Sequence, residues 1–173
     1  MSGSSHLSLP SAPAREQLAK KCSWNGARSA EKADFFTLGY TGRKTEEIIR
    51  LLKENGVRTL VDIRKNAVSM YRPELSKGNL ARLLEEHDLL YAHVPDLGVP
   101  RDVRAKAIEA GSREVIWQWY DRNVAGSMLS LHFFMNGFEH PVALMCAELD
   151  PHECHRHRLS LALEAHGLNS FDL

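Results

Sequence analysis

A chain of 173 residues that is 43% hydrophobic and 25% charged is long enough to close one sizeable core. Its 22 lysines and arginines balance 22 aspartates and glutamates, so no net field draws the whole molecule to nucleic acid, an anionic membrane or acidic substrates. Three cysteines are too few, and odd in number, for a disulfide framework, which argues for free thiols in a reducing, cytoplasmic setting. No apolar run approaches the roughly 20 residues that span a bilayer, and the N-terminus lacks the apolar stretch of a secretory signal, so no membrane partner is expected.

Residues 1–34 are rich in Ser, Ala, Lys and Arg, contain Pro10 and Pro13, and read as a flexible N-terminal extension; Cys22 and Trp24 are its candidates for docking on a domain. Residues 35–173 form that single domain. Phe35 to Tyr40 is a short β-rich run ending at the Thr41-Gly42 turn and is the first expected strand. Thr45 is the expected N-cap of a helix that carries Ile48, Ile49, Leu51 and Leu52 on one stripe and stops at Gly56. Thr59 to Arg64 supplies a second strand, so the segment predicts a βαβ unit with parallel pairing. A second helix from about Ser76 places Leu80, Leu83 and Leu84 together, and Leu89 to Val94 follows as the third strand.

Asp96 to Gly111, with Gly98 and Pro100 ahead of a charged stretch, reads as a loop and short helix of the length of a lid. Helices over Glu114 to Val124 and Leu129 to Phe138 lead into Val142 to Ala147, which is apolar on both faces as a central parallel strand is. The expected fold is α/β, with a mainly parallel sheet of about four strands flanked by helices.

Ligands of open parallel sheets bind outside the carboxyl ends of the strands. That rule selects Tyr40 and Thr41, Asp62 and Arg64, His93 and Asp96, and Cys146 with Glu148. The last junction has the clearest local physics. Asp150-Pro151-His152-Glu153 fits a helix start, with Asp as N-cap, Pro at N1 and Glu at N3 closing a capping box. Cys154 and His155 then fall in a first turn, where unpaired N–H groups and the helix dipole favour an anion or a thiolate, and Arg156 and Arg158 add positive charge. A cysteine at the end of a buried strand, facing a helix start with arginine nearby, resembles the oxyanion-binding arrangement of rhodaneses and cysteine phosphatases. Here the loop is longer and holds Glu148 and Asp150, and carboxylates raise a thiol's pKa. Cys146 and Cys154 fit equally as small buried hydrophobes, and Asp62 with Arg64 as a structural ion pair.

A metal site draws on His152, Cys154, His155 and His157, with His140, Cys146 and Glu148 in reach. Arg156 and Arg158 in the same turns would repel a cation, and no CxxC or HExxH spacing occurs, so no metal ligand is assigned and a metal-binding protein using the Cys/His cluster stands as the third reading. Nucleic acid is the alternative partner, through Arg43, Lys44, Arg64, Lys65, Arg72, Arg101, Arg104 and Lys106, with Tyr40 and Tyr71 for stacking.

Three segments, TLGYTGRKTEEIIRLLKENGVRTLVDIR, YAHVPDLGVPRDVR and VALMCAELDPHECHRHRLSLAL, resemble the domain of unknown function 488 family from about Phe36 to Leu168. The most specific element is C-x-E-x-x-P-x-x-C-H-R, present as Cys146, Glu148, Pro151, Cys154, His155 and Arg156. The resemblance implies that Asp62, Arg64, Gly98 and this cluster share one site, and it implies no reaction. The expectation is a thiol-dependent enzyme or sensor for a small anionic or phosphate-bearing ligand. Cys146 or Cys154 is the nucleophile, His155 the proton acceptor, Glu148 their neighbour, and Arg64 and Arg156 the charge clamps. No cofactor and no oligomeric state can be named from the residues.

Overall fold

The computed structural model describes residues 30–173; Cys22 and Trp24 lie outside them. Five parallel strands form one sheet in the order β3-β2-β4-β1-β5: β1 (Phe35–Gly39), β2 (Thr59–Asp62), β3 (Leu90–His93), β4 (Val142–Cys146) and β5 (Ser170–Asp172). The expected α/β class and parallel pairing hold. The count of about four strands falls short by β5, a three-residue edge strand whose Ser and Asp carry no apolar signal. Six α-helices flank the sheet: α1 (Thr45–Glu54), α2 (Lys77–Glu85), α3 (Arg101–Glu109), α4 (Glu114–Asn123), α5 (Met128–Asn136) and α6 (His155–Glu164). No helix among the described residues is long and apolar enough to cross a membrane.

Strand alternation sends successive side chains to two separate cores. Val142, Leu144 and Cys146 of β4 pack with Phe35, Val61 and Ile63 against Val103, Tyr120, Leu131, Leu159 and Leu163 of α3 to α6. Ala143 and Met145 pack with Phe36, Leu38 and Leu60 against Ile48, Ile49 and Leu52 of α1 and Leu80 and Leu84 of α2. All five residues of β4 are buried, so this strand is apolar throughout because both of its faces are covered.

Several local expectations shift by a residue or more. Thr45 lies inside α1, behind Lys44 at the N-cap, and its hydroxyl instead accepts from Arg72 at 3.4 Å. Gly56 takes φ 64° and donates to the Lys53 carbonyl, ending α1 as the sequence implies. The stretch expected to be a lid is anchored: Val99, Val103 and Ala107 are buried in the core, so α3 is part of the wall of the domain. Asp150 and Pro151 start only a 3-10 turn, Pro151–Glu153, and the capping box does not form. Asp150 accepts from the His152 amide at 2.9 Å, Glu153 pairs with Arg113 at 3.2 Å, and Cys154 occupies the N-cap of α6.

At the end of β1 the backbone runs against the β4–α6 loop: a Cβ built on Gly39 would stand 2.0 Å from the Glu148 carbonyl oxygen. Gly78 in α2 has nothing within 4 Å of the same position. Gly39→Ala should therefore cost at least about 2 kcal/mol in urea unfolding, because the obstacle is backbone and must move as a unit. Gly78→Ala should be neutral or stabilising by up to about 1 kcal/mol through the unfolded chain. Equal midpoints for the two variants would refute this account of the loop.

Candidate functional site

The connection after β4 runs to α6 on one face of the sheet, while those after its neighbours β1 and β2 run to α1 and α2 on the other. The carboxyl end of β4 is thus a topological switch point, where diverging loops open a crevice. Cys146 is the last residue of that strand, and Glu148, Cys154 and His155 follow within the loop and the first turn of α6.

These four side chains meet. Cys146 Sγ lies 3.4 Å from Glu148 Oε2 and 3.7 Å from His155 Nδ1, and Cys154 Sγ is 3.9 Å from that same nitrogen. Both cysteines are free thiols, each 1% exposed. Cys154 Sγ also accepts the Arg156 amide N–H at 3.5 Å, filling the role that a hydroxyl or carboxylate oxygen usually plays at an N-cap. His155 Nε2 is 3.3 Å from the Ile63 carbonyl just beyond β2. The imidazole is covered by Tyr120 of α4, ring centroids 5.2 Å apart, and Tyr120 donates to the Leu97 carbonyl at 2.8 Å.

The two thiols differ electrostatically. Cys146 is pushed well above the ordinary thiol value by its hydrogen bond to Cys154, by burial, and by the charges of Cys154 and Glu148. Burial also pushes Cys154 up, but the hydrogen bonds from Cys146 and His155 and the charge of His155 outweigh it and bring it down to about 6. Burial pushes the Glu148 carboxyl up as well. Hydrogen bonds from Cys154 and from its own backbone, with the charge of His155, hold it below the usual range, so it is a carboxylate.

Of the residues expected at the other strand ends, Tyr40, Asp62, Arg64 and His93 gather on the opposite face of the sheet, while Asp96 is exposed and pairs with Lys65. Asp62 and Arg64 form a buried bidentate pair, Nε to Oδ1 at 2.8 Å and Nη2 to Oδ2 at 2.5 Å, and Arg64 also donates to the Leu75 carbonyl at 2.8 Å. Tyr91 donates to Asp62 at 2.8 Å, and Tyr40 lies with its ring 5.1 Å from the Arg64 guanidinium. Burial acts to lower the Arg64 pKa, but the hydrogen bonds and charge of Asp62 outweigh it and hold it above its usual value. His93 Nε2 reaches the Arg64 carbonyl at 2.8 Å. The two clusters therefore share only the backbone of Ile63 and Arg64, to which His155 and His93 bond from opposite faces.

Three other expected site residues have roles in building the crevice. Gly98 packs where a Cβ would stand 2.2 Å from the Lys65 nitrogen, which lets the turn after β3 lie against the loop after β2. Thr41 is exposed and continues the β1–β4 ladder through its N–H to the Ala147 carbonyl at 2.9 Å. Arg156 is fully buried and points away from the sulfurs: it donates to the carbonyls of Glu148 and Leu149, the latter at 2.7 Å, and to Asp172 of β5 at 3.3 Å.

The basic residues considered for nucleic acid are largely engaged within the chain. Arg72 bonds Glu74 and the Arg43 carbonyl, Arg43 the Leu173 carbonyl, Lys65 pairs with Asp96, Arg104 bonds the Val99 carbonyl and Lys106 pairs with Asp102. Lys44, Arg101 and Tyr71 are exposed, Tyr71 almost completely. Sequence reasoning passed over Tyr120, Tyr91 and Asp172. The first two carried only a helical or strand pattern, and the third closes the chain in a segment with no pattern at all.

A family described as "Domain of unknown function DUF488" matches residues 44–163. No curated protein and no solved structure matches the chain.

Arg156 read as a structural cation makes a different prediction from Arg156 read as a ligand clamp. Replacing it with Leu leaves Asp172 and two loop carbonyls without their donor, and the expected cost is about 3–5 kcal/mol of unfolding free energy. Arg156→Lys should recover only part, since one ammonium cannot span a carboxylate and two carbonyls as a planar guanidinium does. A Leu variant as stable as the parent would return Arg156 to the ligand-binding role.

Proposed function

The chain belongs to the DUF488 family, whose description assigns no activity, and from its own side chains we propose that it is a thiol-dependent protein in which Cys154 is the reacting sulfur. One observation carries this reading. Cys154 sits at the N-cap of α6 with its Sγ accepting a backbone N–H, where the positive end of the helix stabilises a thiolate. His155, its Nδ1 at 3.9 Å, is placed to take the thiol proton. The sulfur then forms a bond to an electrophilic atom of the ligand, the bond to the leaving group breaks, and the leaving group keeps the electron pair and recovers the proton from His155. Cys146 is a second thiol beside the first. With each cysteine 1% exposed, the reactant is a small molecule. Free thiols of this kind also favour a cytoplasmic location.

The anionic half of the expectation has less support than the thiol half. Both guanidiniums cast as clamps are spent, Arg64 on Asp62 and Arg156 on Asp172 and loop carbonyls, and Glu148 adds negative charge beside the sulfurs. Nucleic-acid binding draws on little beyond exposed Lys44, Arg101 and Tyr71.

The test is limited alkylation of the reduced, chelator-treated chain carrying Cys22→Ser, with labelled peptides counted by mass spectrometry. Cys154 should label first under native conditions, and Cys154→Ser should leave Cys146 nearly unlabelled until denaturant is added. Two thiols that stay inert until unfolding, or a Cys146 that labels first, would end this reading.

A further inference from the structure

Cys146, Cys154 and His155 bring two sulfurs and a ring nitrogen within 4.8 Å of one another, all three residues buried. A tetrahedral zinc site has Zn–S near 2.3 Å and Zn–N or Zn–O near 2.0–2.2 Å, which sets neighbouring donor atoms roughly 3.3–3.8 Å apart. The separations here are 3.7 Å from Cys146 Sγ to His155 Nδ1, 3.9 Å from Cys154 Sγ to the same nitrogen, and 3.4 Å from Cys146 Sγ to Glu148 Oε2. The two sulfur–nitrogen separations come within a few tenths of an ångström of such edges, and Glu148 stands beside Cys146 outside the mutually close group of three. We propose that Cys146, Cys154 and His155 form a binding site for a zinc-class divalent cation, with the Glu148 carboxylate at its edge. This goes beyond the thiol-dependent reading, because it needs the positions of the donor atoms and not the reactivity of either sulfur.

The surroundings of the three donors fit the assignment. A carbonyl oxygen only accepts, so the Ile63 carbonyl at 3.3 Å from Nε2 places the ring proton there and leaves Nδ1 as the donor nitrogen, 3.7 and 3.9 Å from the two sulfurs, with Cys146 Sγ also 3.9 Å from Nε2. A ligand histidine held by its second nitrogen on a backbone carbonyl is the usual outer support of a zinc site. The Arg156 amide N–H bonded to Cys154 Sγ offsets part of the charge of a coordinated thiolate. Two sulfurs and an imidazole select zinc or a similar borderline cation over calcium and magnesium, which take sets of oxygens.

The electrostatic objection raised by the neighbouring arginines is answered by their geometry. Arg156 turns to Asp172 and the loop carbonyls, and Arg158 pairs with Asp121, so both charges are met by carboxylates on other elements. His152 and His157 pack against each other with ring centroids 4.5 Å apart and planes tilted by 49°, and they are not part of the donor set.

Cobalt(II) is the probe, added to the reduced full-length chain carrying Cys22→Ser. One equivalent should bind with the visible bands of a tetrahedral site and a near-ultraviolet sulfur-to-cobalt charge-transfer band, and zinc should displace it. Cys146→Ser and Cys154→Ser should each weaken that band, and His155→Ala should lose tight binding. Glu148→Gln, a near-isosteric change, should keep the sulfur band while binding more weakly. A reduced parent chain that takes up no cobalt, or uptake unchanged in the cysteine and histidine variants, overturns the site. Loss of cobalt binding with selective Cys154 alkylation intact leaves the thiol reading standing alone. Cobalt binding with inert thiols in the metal-free chain does the reverse.

Discussion

Arg156 carries a full positive charge with no solvent exposure beneath the β4–α6 loop, and the positions of the sulfurs depend on how that charge is satisfied. Removing an ion from water costs several kcal/mol, and only close, well-directed partners offset it. The partners are the Glu148 and Leu149 carbonyls and the Asp172 carboxylate, which tie the loop to the edge strand β5. Thr37 of β1 donates to the same carboxylate. Burial pushes the Asp172 carboxyl up, and Arg156 and Thr37 pull it only part of the way back. The pair is therefore worth less as net stability than as a fixed geometry, since removing either partner strands the other. By pulling the Glu148 carbonyl inward, the same guanidinium sets the height of the loop over β1, and Gly39 has no Cβ because that space is taken.

Held in this way, the chain from Cys146 to Cys154 is a closed bracket rather than a free loop. Its floor is β4, its far post is the N-cap of α6, and the 3-10 turn at Pro151–Glu153 brings Cys154 back beneath the strand end. Arg113, at the N-cap of α4, grips the turn from outside through both the carbonyl and the carboxylate of Glu153. A bracket that carries charge-assisted bonds on both sides keeps donor atoms at fixed separations, as a metal centre or an activated thiol requires.

Much of this was legible in the residues. The apolar run of β4, the proline of the turn and the Cys-x-Glu…Cys-His spacing mark the bracket, and the alternation of helices and strands marks the sheet. What could not be read were directions. Arginine two residues after Cys154 is compatible with a side chain aimed at the sulfur or away from it, and the partner that decides, Asp172, lies in a strand too short and polar to announce itself. Asp62 and Arg64 were grouped with the cysteines because all sit at strand ends. The parity of the strands separates them: Ile63 faces the core of Cys146, so its neighbours face the core of Tyr40 and Tyr91. That parity is visible within β2 alone, but relating it to β4 needs the pairing of Asp62 with Met145, which no single-strand pattern contains.

Glu148 is the residue that separates the two chemical readings of the cluster. A carboxylate beside two buried thiols opposes the ionisation of both; Cys146, raised chiefly by its hydrogen bond to Cys154 and by burial, stays protonated while Cys154 alone is pulled down. A catalytic site built solely to activate one sulfur would gain from a cationic residue in that place. A cation changes the sign of the argument, because the same carboxylate then attracts the charge the site is made to hold, and both thiols become thiolates through coordination instead of through their surroundings. Glu148 is an unfavourable neighbour for a thiol pair on its own and a favourable neighbour for the cation of a thiolate–imidazole centre. The position of its Oε2 at 3.4 Å from Cys146 Sγ is thus the distance in the site with the most to say about which chemistry the bracket serves.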